Sequence, residues 1–516
     1  MQPEQILIGV RSKIKKEWVI CFSAAIIFGL LAHFYKLTNF LPNWDSLLNL
    51  YTDQNKIDLG RCFLAMACSV SSYYDLPWMN GLISLIYIAV AAVCVSELFH
   101  IRKTIPLILI GGLMETFPTV TSTLAYNYTA DGYFLALVCM CVAVILVVRF
   151  RKGVLPAAIL MAFGIGIYQT YLTFAMVLMI IYLIDQLLFY KIGWKQFWNT
   201  TLRFLSCGIL GVVGYYLSLN VLLRVSNMTL SKYQGIENAF SFQSIDILRA
   251  IWREVYHFFI YFFDFSHGIN LFLILNILLV LLLIFFFLLA FRLEKTVQEP
   301  WRLAFILICV AVLPIASYVF YFVNPALDYH NLMVMCFCLI YILPVIFYER
   351  MSGLSDMIIA VKQWSIIALS VLTIFNFTLL ANISYQKMQI AYEKSFGVIV
   401  RLADRIEQLS DADQCKKIAI FGFLPGSESI SVNFPPDMTG ITDSYIIRKQ
   451  DPMMHENVTQ AMLKDYCGLS YQDTTKEEIH EIEQREEFHQ MDCWPKQNSI
   501  AVIDDTLVIK FGDEIK

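Results

Sequence analysis

Long apolar runs separated by short polar connections fill the chain as far as about residue 381. An α-helix needs about 20 mostly apolar residues to cross a bilayer. The pattern predicts about 11 transmembrane helices, at 17–37, 78–99, 104–124, 131–149, 154–170, 171–190, 202–223, 269–291, 302–323, 331–348 and 357–381. Residues 154–190 could also form one bent helix, but that length would overshoot a hydrocarbon core of about 30 Å, so two spans are favoured.

Composition supports the membrane interpretation. The 516 residues are 58% hydrophobic, 15% aromatic and only 16% charged, which is too apolar for a soluble globular protein. No cleavable signal peptide is evident, because the first span follows Lys15 and Lys16, is too long for the apolar region of a signal peptide and lacks a clean cleavage site. The predicted fold class is therefore an all-α polytopic membrane protein, with one exception at its C-terminal end.

The basic residues predict the orientation of the spans, because cytoplasmic connections are enriched in lysine and arginine. The short connections around 125–130, 168–171 and 324–330 contain neither residue. With the N-terminus inside, the cytoplasmic connections contain Arg102, Lys103, Arg149, Arg151, Lys152, Lys191, Lys195, Arg292, Lys295, Arg302, Arg350 and Lys362. Eleven spans then place the long loops 38–77 and 224–268 and the tail 383–516 outside.

The tail differs in composition from the rest of the chain. From Asn382 onward the chain is acidic, and its apolar segments shorten to the length of strands. We predict a helix over about 383–409, a strand in KKIAIFGFLP, a Glu-rich helix near 474–489 and closing strands in SIAVIDDTLVIKFG. The predicted domains are a transmembrane catalytic domain over 1–382 and a soluble extracytoplasmic α/β domain over 383–516.

The first long loop, LPNWDSLLNLYTDQNKIDLGR, concentrates charged residues at the membrane boundary. Asp45 could cap the turn that follows it, because its carboxylate accepts orphan backbone N–H groups, or it could take a proton from a substrate hydroxyl. Arg61 could pair with Asp58 on one helix face, or present its guanidinium to a phosphate. Residues 57–70 are predicted to form an amphipathic helix along the membrane surface.

Further polar residues lie at or within the predicted spans. Asp131 opens the fourth span, where an acid is favoured electrostatically whatever its function. Tyr168 and Gln169 lie at the junction of the fifth and sixth spans, and could simply bond neighbouring helices. Glu115 is the one acid predicted inside the bilayer, which makes it a functional candidate.

The second long loop and the tenth span add more candidates. Arg249 and Arg253 lie on an aromatic-rich amphipathic helix that could also anchor to lipid headgroups. Asp328 and His330 reach the outer mouth of the tenth span, where an ordinary turn and helix cap would explain them. No phosphate-binding glycine loop or zinc-ligand spacing occurs, so no metal ligands are predicted. Together, the loops predict an outward-facing cavity rimmed by carboxylates and arginines.

Four motifs in fixed order carry a resemblance to a known family. They are NWDS, then DLGRCFLAMA before a span that starts with proline, then NYTADGYFLALV, and then GIGIYQTYLTF. This order resembles the bacterial glucosyltransferases that decorate O-antigen and other surface polysaccharides, within the GT-C class of integral membrane glycosyltransferases. The resemblance covers roughly 20–350 and leaves the tail uncovered.

The resemblance implies a substrate pair and a location. The donor would be a polyprenyl-phosphate-linked sugar, typically undecaprenyl-phosphate glucose, and the acceptor a polysaccharide or a lipid-linked oligosaccharide. The reaction would occur at the outer face of the bacterial cytoplasmic (inner) membrane. Implied partners are the lipid bilayer, a small flippase and a donor-synthesising glycosyltransferase, with no nucleic acid.

The resemblance also assigns residues. Many relatives have a pair of acids in the first outer loop, whereas this chain has Asp45 followed by Ser46, which makes Asp53 a candidate substitute. The remaining family positions map onto Gly60, Arg61, Asp131, Tyr168 and Gln169. Arg249, Arg253 and His330 are substrate-binding candidates from their position alone.

The predicted mechanism is inverting glycosyl transfer. Asp45 would act as general base on an acceptor hydroxyl, while Arg61, with Arg249 or Arg253, would stabilise the departing lipid phosphate. A divalent metal, Mg²⁺ or Mn²⁺, is compatible with this class, although no compact ligand cluster in the sequence requires one. A polysaccharide polymerase and a lipid-linked sugar transporter or flippase remain alternatives. Transporters usually show related halves and helices broken at the midplane, and no internal repeat is visible.

Overall fold

The computed structural model describes residues 3–231, 247–266, 268–323, 327, 329–350, 356–422 and 456–512. Most of them are helical. The helices are α1 (Pro3–Arg11), α2 (Lys16–Thr38), α3 (Trp44–Leu48), α4 (Leu64–Cys68), α5 (Pro77–Leu98), α6 (Thr104–Thr116), α7 (Pro118–Ala125), α8 (Asn127–Arg149), α9 (Val154–Ile167), α10 (Tyr171–Leu188), α11 (Trp194–Val225), α12 (Ile247–Phe262), α13 (Leu271–Leu293), α14 (Pro300–Ser317), α15 (Phe320–Val323), α16 (Cys338–Glu349), α17 (Asp356–Glu407), α18 (Glu456–Cys467), α19 (Lys476–Glu483) and α20 (Glu486–His489).

Several helices are long and apolar enough to cross a membrane. Within the described ranges there are 9 by length and composition, formed by α2, α5, α6 with α7, α8, α10, α11, α13, α14 and α17. Predicted spans 154–170 and 331–348 correspond to shorter apolar helices, Val154–Ile167 and Met335–Glu349. These helices fit a helical membrane protein.

The third predicted span is broken into α6 and α7. Phe117 separates them with an extended backbone, and Pro118 begins α7. The cause is local, because a proline disfavours helical geometry in the residue before it. The break leaves carbonyl groups at the end of α6 without helical partners, and the His33 ring contacts the Glu115 carbonyl oxygen at 2.9 Å. A broken span was expected of a transporter, but here the proline accounts for it.

The described chain divides into two compact units. Unit 1 consists of described residues within Met1–Asn39 and Tyr51–Asn382, and unit 2 of Phe40–Leu50 with the described residues from Ile383 onward. The sequence predicted one uninterrupted domain over 1–382. The short segment that carries Asp45 belongs instead to unit 2, because Leu47 is buried in the same hydrophobic cluster as Leu402.

In unit 1, four helix ends meet around one carboxylate. Glu97, in the last turn of α5, binds Lys15 Nζ at 2.6 Å, Arg149 Nη2 at 2.7 Å and Arg102 Nη1 at 3.1 Å. Lys15 and Arg102 precede α2 and α6, whereas Arg149 ends α8. The starts of α2 and α6 therefore lie beside the ends of α5 and α8, as an alternating arrangement of spans requires.

Unit 2 contains a four-stranded sheet. Its strands are β1 (Lys417–Phe421), β2 (Gln472–Asp473), β3 (Ile500–Ile503) and β4 (Thr506–Lys510), in the order β2-β1-β4-β3. β1 runs parallel to β2 and β4, and β3 pairs with β4 in antiparallel fashion. Asp504 and Asp505 join β3 to β4 with positive φ angles of 48° and 59°, the geometry of a tight hairpin turn.

Two predicted helices are one helix in the structure. The sequence predicted a span over 357–381 and a separate helix over 383–409, whereas α17 runs from Asp356 to Glu407 without interruption. The segment contains no proline and only Gly397 as a potential breaker, so nothing in it ends the helix. The polar residues from Asn382 onward mark a change of composition and no change of backbone.

Candidate functional site

The Gly60–Arg61 turn interrupts the amphipathic helix predicted over 57–70, and that prediction is wrong. Ile57–Leu59 forms a single 3-10 turn, Gly60 adopts the left-handed conformation with φ of 74°, and the helix resumes only at α4. The Gly60 amide donates to the Ile57 carbonyl at 2.9 Å, and the Phe63 amide donates to the Gly166 carbonyl at 2.8 Å. These bonds hold the backbone of Arg61 in a tight turn.

Arg61 packs against two tyrosine rings. Its Nη1 donates to the Tyr133 hydroxyl at 2.7 Å, and its Cζ lies 5.6 Å from the Tyr133 ring centre and 5.2 Å from that of Tyr168. The two rings stack on each other with centres 4.1 Å apart and an angle of 12°. No ion pair joins Arg61 to Asp58 in the part of the chain that the structure describes, so the helical salt bridge is not formed. A planar guanidinium held in this way has the geometry used for phosphate recognition.

Gln169 and Tyr215 make hydrogen bonds to the backbone of the Gly60–Arg61 turn. Gln169 Nε2 donates to the Leu59 carbonyl at 3.2 Å and lies 3.4 Å from the Tyr215 hydroxyl, which in turn donates to the Gly60 carbonyl at 3.0 Å. The structure therefore brings Arg61, Tyr168 and Gln169 together. Tyr168 packs against the Arg61 guanidinium, and Gln169 hydrogen-bonds to the backbone of the turn. Tyr215 was missed, because it lies inside an apolar span with no signal in the sequence around it.

We expect Gly60→Ala to reduce both activity and stability. An added Cβ would lie 2.7 Å from Gln169 Nε2 and 2.8 Å from the Tyr215 hydroxyl, and the left-handed backbone itself costs an alanine about 1–2 kcal/mol. Activity should fall about tenfold or more, and the midpoint of thermal unfolding in detergent should fall. Gly208→Ala, on α11 where an added Cβ meets nothing within 4 Å, is the matched control. Unchanged activity and midpoint in Gly60→Ala would show that the turn tolerates a side chain.

A second polar group lies beside Asp131. Asn127 Nδ2 donates to Asp75 Oδ1 at 2.7 Å, and the buried amine of Lys36 lies within electrostatic reach of Asp75. Asp131 follows Asn127 by one helical turn and is 1% exposed. Within the described residues neither of its carboxylate oxygens makes a hydrogen bond of ordinary geometry, although the Ser71 hydroxyl and the Gly132 amide lie nearby. A buried carboxylate left without a hydrogen bond is costly, which marks it as a functional candidate.

The helix-terminus explanation of Asp131 does not hold. The sequence predicted that this residue opens the fourth span, but α8 begins at Asn127, so Asp131 lies beyond the first turn. Sequence reasoning also missed Lys36, Asp75 and Asn127. The signal available was Lys36, a charged residue at the end of a predicted span, since such residues are rare in membrane helices.

Arg253, on α12, packs against an aromatic ring of α15. Its Cζ lies 4.3 Å from the Tyr321 ring centre, and the His257 ring lies 5.4 Å from the same centre. Tyr321 also packs against Tyr318 at 5.8 Å. Arg249, one turn earlier on α12, is exposed. The structure thus places Arg253 in an aromatic setting similar to that of Arg61.

Aromatic residues pack near each arginine group of unit 1. Tyr168 contacts Tyr171 at 5.8 Å, and α10, which Tyr171 begins, packs against Met335–Phe337. Phe337 contacts Tyr318 at 5.6 Å. Arg61 and Arg253 therefore each lie beside a cluster of aromatic rings.

Glu254, next to Arg253, is fully buried, and neither carboxylate oxygen makes a hydrogen bond to a described residue. Burial raises the pKa of Glu254 to about 8, from about 4.3 in an unfolded chain. Stability is therefore lost as the pH rises from the unfolded value toward 8, because the unfolded chain releases this proton first. We expect Glu254→Gln to raise the midpoint of thermal unfolding more at pH 8 than at pH 5.5, whereas the exposed Glu481→Gln should show no such trend. An equal change at both pH values would contradict this assignment.

His330 lies at the turn that leads toward α16. Its carbonyl accepts from the Met333 amide at 2.9 Å, and the next residue, Asn331, donates to the Ser122 hydroxyl on α7 at 3.2 Å. These bonds agree with the ordinary turn considered for this segment. Asp328 lies outside the described residues.

Asp53 and Asp45 have different surroundings. Asp53 is exposed, and its Oδ1 accepts from the Asn55 amide at 3.0 Å, an ordinary side-chain turn. In unit 2, the cap of α3 is Asn43, whose side chain accepts from the Ser46 amide at 2.8 Å. Asp45 is half-buried. It is not needed as the cap, because Asn43 already caps α3. Capping accordingly no longer explains the carboxylate of Asp45.

The divalent metal considered from the sequence raises the question of whether potential ligands form a cluster. Nowhere in the described ranges do three or more histidine, cysteine, aspartate or glutamate side chains form a group that could hold a metal ion.

Comparison with known protein families identifies one family for this chain. The family model described as glucosyl transferase GtrII matches residues 34–348, which include Arg61, Asp131, Tyr168 and Arg253. No curated protein and no solved structure shows significant similarity to the chain. Because the match covers more than half of its length, the chain belongs to the glucosyl transferase GtrII family.

Proposed function

We propose that this protein transfers glucose from a polyprenyl-phosphate donor to a cell-surface polysaccharide, at the outer face of the bacterial cytoplasmic membrane. Membership of a glucosyl transferase family makes it a glycosyltransferase acting on a sugar donor and an acceptor. The observation that carries the finer proposal is the Arg61 guanidinium held against the Tyr133 and Tyr168 rings. This is a preorganised cationic group in a largely apolar protein, which suits a lipid-linked phosphate.

Arg61 would stabilise the leaving group. A lipid phosphate is already stable as an anion, so its departure needs charge stabilisation more than protonation. The contact with Tyr133 fixes the guanidinium before the substrate arrives, so little reorganisation is needed during the reaction. Arg253, which packs against the Tyr321 ring, would supply a second positive charge toward the donor or toward a lipid-linked acceptor. Tyr168 and Gln169 would act by positioning Arg61.

Asp45 would act as the general base on the acceptor hydroxyl. The attack of that hydroxyl on the anomeric carbon forms the new glycosidic bond as the bond to phosphate breaks, with inversion. The support for Asp45 is its place in the family's order of motifs and the finding that Asn43 caps its helix. Asp131 is the alternative base, supported by its buried carboxylate without hydrogen bonds. The exposed Asp53 has neither form of support.

The proposed topology places the Glu97 end of unit 1 in the cytoplasm. The cations predicted to be cytoplasmic, Lys15, Arg102 and Arg149, all meet there. The tail 383–516 would then lie outside and align the acceptor polysaccharide, in a GT-C-like arrangement. A donor made on the inner side must cross the membrane, which is why a flippase and a donor-synthesising enzyme are the proposed partners.

The cellular test is the composition of surface polysaccharide from host cells with and without the gene for this chain. We expect a glucose residue, at one linkage, that is present only with the chain. Loss of polymer length in place of a glucose branch would favour a polymerase and overturn the proposal. Polysaccharide of identical structure in both strains would also count against it.

A further inference from the structure

A groove on unit 1 lies apart from the residues assigned above. It has a volume of about 580 Å³ and is formed by α2, α5 and α8. Its walls include the side chains of Trp18, Phe22, Val90, Val93, Cys94 and Ile145, and Glu97 with Arg149 lies at its polar end. This volume is in the range of ligand sites in proteins. Because all three helices are candidate membrane spans, we expect the molecule that fills the groove to be soluble in a lipid bilayer.

The polar end of the groove carries an excess of positive charge. Three cations, Lys15, Arg102 and Arg149, surround the single carboxylate of Glu97. The Lys15 and Arg149 side chains are 41% and 30% exposed, whereas Glu97 is 6% exposed. Glu17 and Glu349 lie within electrostatic reach of Arg102. Because Arg102 has these two further acids nearby, Lys15 and Arg149 share Glu97 between them, which leaves a net positive charge beside the groove.

Trp18 joins the apolar and charged parts. Its ring lines the groove, its Nε1 donates to Glu97 Oε2 at 2.7 Å, and Lys15 Nζ lies 5.1 Å from the ring centre. Tryptophan is enriched at membrane interfaces, where one part of the ring is apolar and the other hydrogen-bonded. We therefore expect the apolar walls of the groove to lie at the level of the lipid chains, and its charged end, beside Trp18, at the level of the headgroups.

We propose that this groove binds one anionic phospholipid, with an acyl chain against Val90 and Val93 and the phosphate beside Lys15 and Arg149. The apolar walls favour any lipid chain, and the positive excess selects the headgroup. Charge-assisted bonds from Lys15 and Arg149 to phosphate oxygens would supply the selectivity. The lipid would connect the start of α2 to the end of α8, and so stabilise the helix ends that meet at Glu97.

The test is native mass spectrometry of the full chain in detergent, with phosphatidylglycerol and phosphatidylcholine of identical acyl chains. We expect phosphatidylglycerol to bind at least tenfold more tightly. Lys15→Gln should remove most of this preference, and Val93→Phe, which narrows the groove, should weaken both lipids. Lys13→Gln, in the exposed basic segment just before α2, should behave as the wild-type chain.

Three outcomes would overturn the proposal. Equal affinity of the wild-type chain for the two lipids would remove the headgroup site, and this comparison needs no variant to fold. Equal losses in Lys13→Gln and Lys15→Gln would indicate diffuse surface attraction in place of a site. Tighter binding of a polyprenyl phosphate than of phosphatidylglycerol would reassign the groove to the lipid carrier. Thermal unfolding of each variant confirms that lost binding is not lost structure.

Discussion

Arg61→Gln is expected to reduce sugar transfer about a hundredfold or more. Removing one preorganised group that stabilises developing negative charge typically costs 10²–10³ in rate. Glutamine is shorter and uncharged, but the turn at Gly60 should form as before, because backbone bonds and the side chains of Gln169 and Tyr215 hold it. Arg61→Lys should also lose most of the activity, because an ammonium cannot reproduce the planar fork of the guanidinium held against the rings of Tyr133 and Tyr168.

Two further variants serve as comparisons for Arg61→Gln. Tyr133→Phe removes the 2.7 Å hydrogen bond to Arg61 but keeps the ring, so its loss should be roughly tenfold or less. Arg151→Gln changes an exposed arginine in the turn after α8, and is the charge-matched control. Both kcat and kcat/KM for the lipid-linked donor should be measured in matched membranes. Wild-type kinetics in Arg61→Gln would remove this residue from the site.

Asp45→Asn is expected to reduce transfer by about 10²–10⁴, the usual contribution of a general base. Asparagine is nearly isosteric, and the cap of α3 is Asn43, so the helix should keep its structure. The pH profile adds a readout that a structural role would not change. The acid limb of kcat/KM, which reports the base in the free enzyme, should be lost from the residual activity.

Two further variants locate the base if Asp45 is not responsible. Full activity in Asp45→Asn together with a loss of this size in Asp131→Asn would assign the role to the buried carboxylate on α8. Asp53→Asn reports in the same way on the exposed carboxylate of the first loop. Asp473→Asn, an exposed position on β2, is the matched control for the amide substitution.

The sequence was informative wherever local rules decide structure. Long apolar runs predicted the helices, because the length and apolarity of a run are enough to indicate a membrane helix, whatever its neighbours are. Pro77 begins α5, as predicted, since proline fits the first turn of a helix. Pro118 begins α7 for the same reason, but the span predicted over 104–124 did not include this break. Gly60 was mapped from the motif order, but its effect in breaking the helix predicted over 57–70 was not foreseen. A glycine signals freedom of the backbone, and only the contacts with Gln169 and Tyr215 show why that freedom is used.

The remaining features depend on contacts between distant positions. Lys36, Asp75 and Asn127 come together from three separate segments, and no spacing in the sequence links them. The same holds for Tyr215, which reaches the Gly60 carbonyl from α11. Asp45 shares its short segment with Leu47, whose burial in unit 2 could not be read from the loop alone. Patterns of polarity predict elements, whereas the partners of a side chain are decided by packing.

The central claim is that Arg61 serves glucosyl transfer from a polyprenyl-phosphate donor. The most direct measurement is transfer of radiolabelled glucose from undecaprenyl-phosphate glucose to acceptor polysaccharide, by purified wild-type and Arg61→Gln chains in liposomes. The account predicts labelled polysaccharide with equimolar release of undecaprenyl phosphate for the wild type, and about a hundredfold slower transfer for the variant. Absence of transfer by a folded wild-type chain, or equal rates for the two chains, would contradict it.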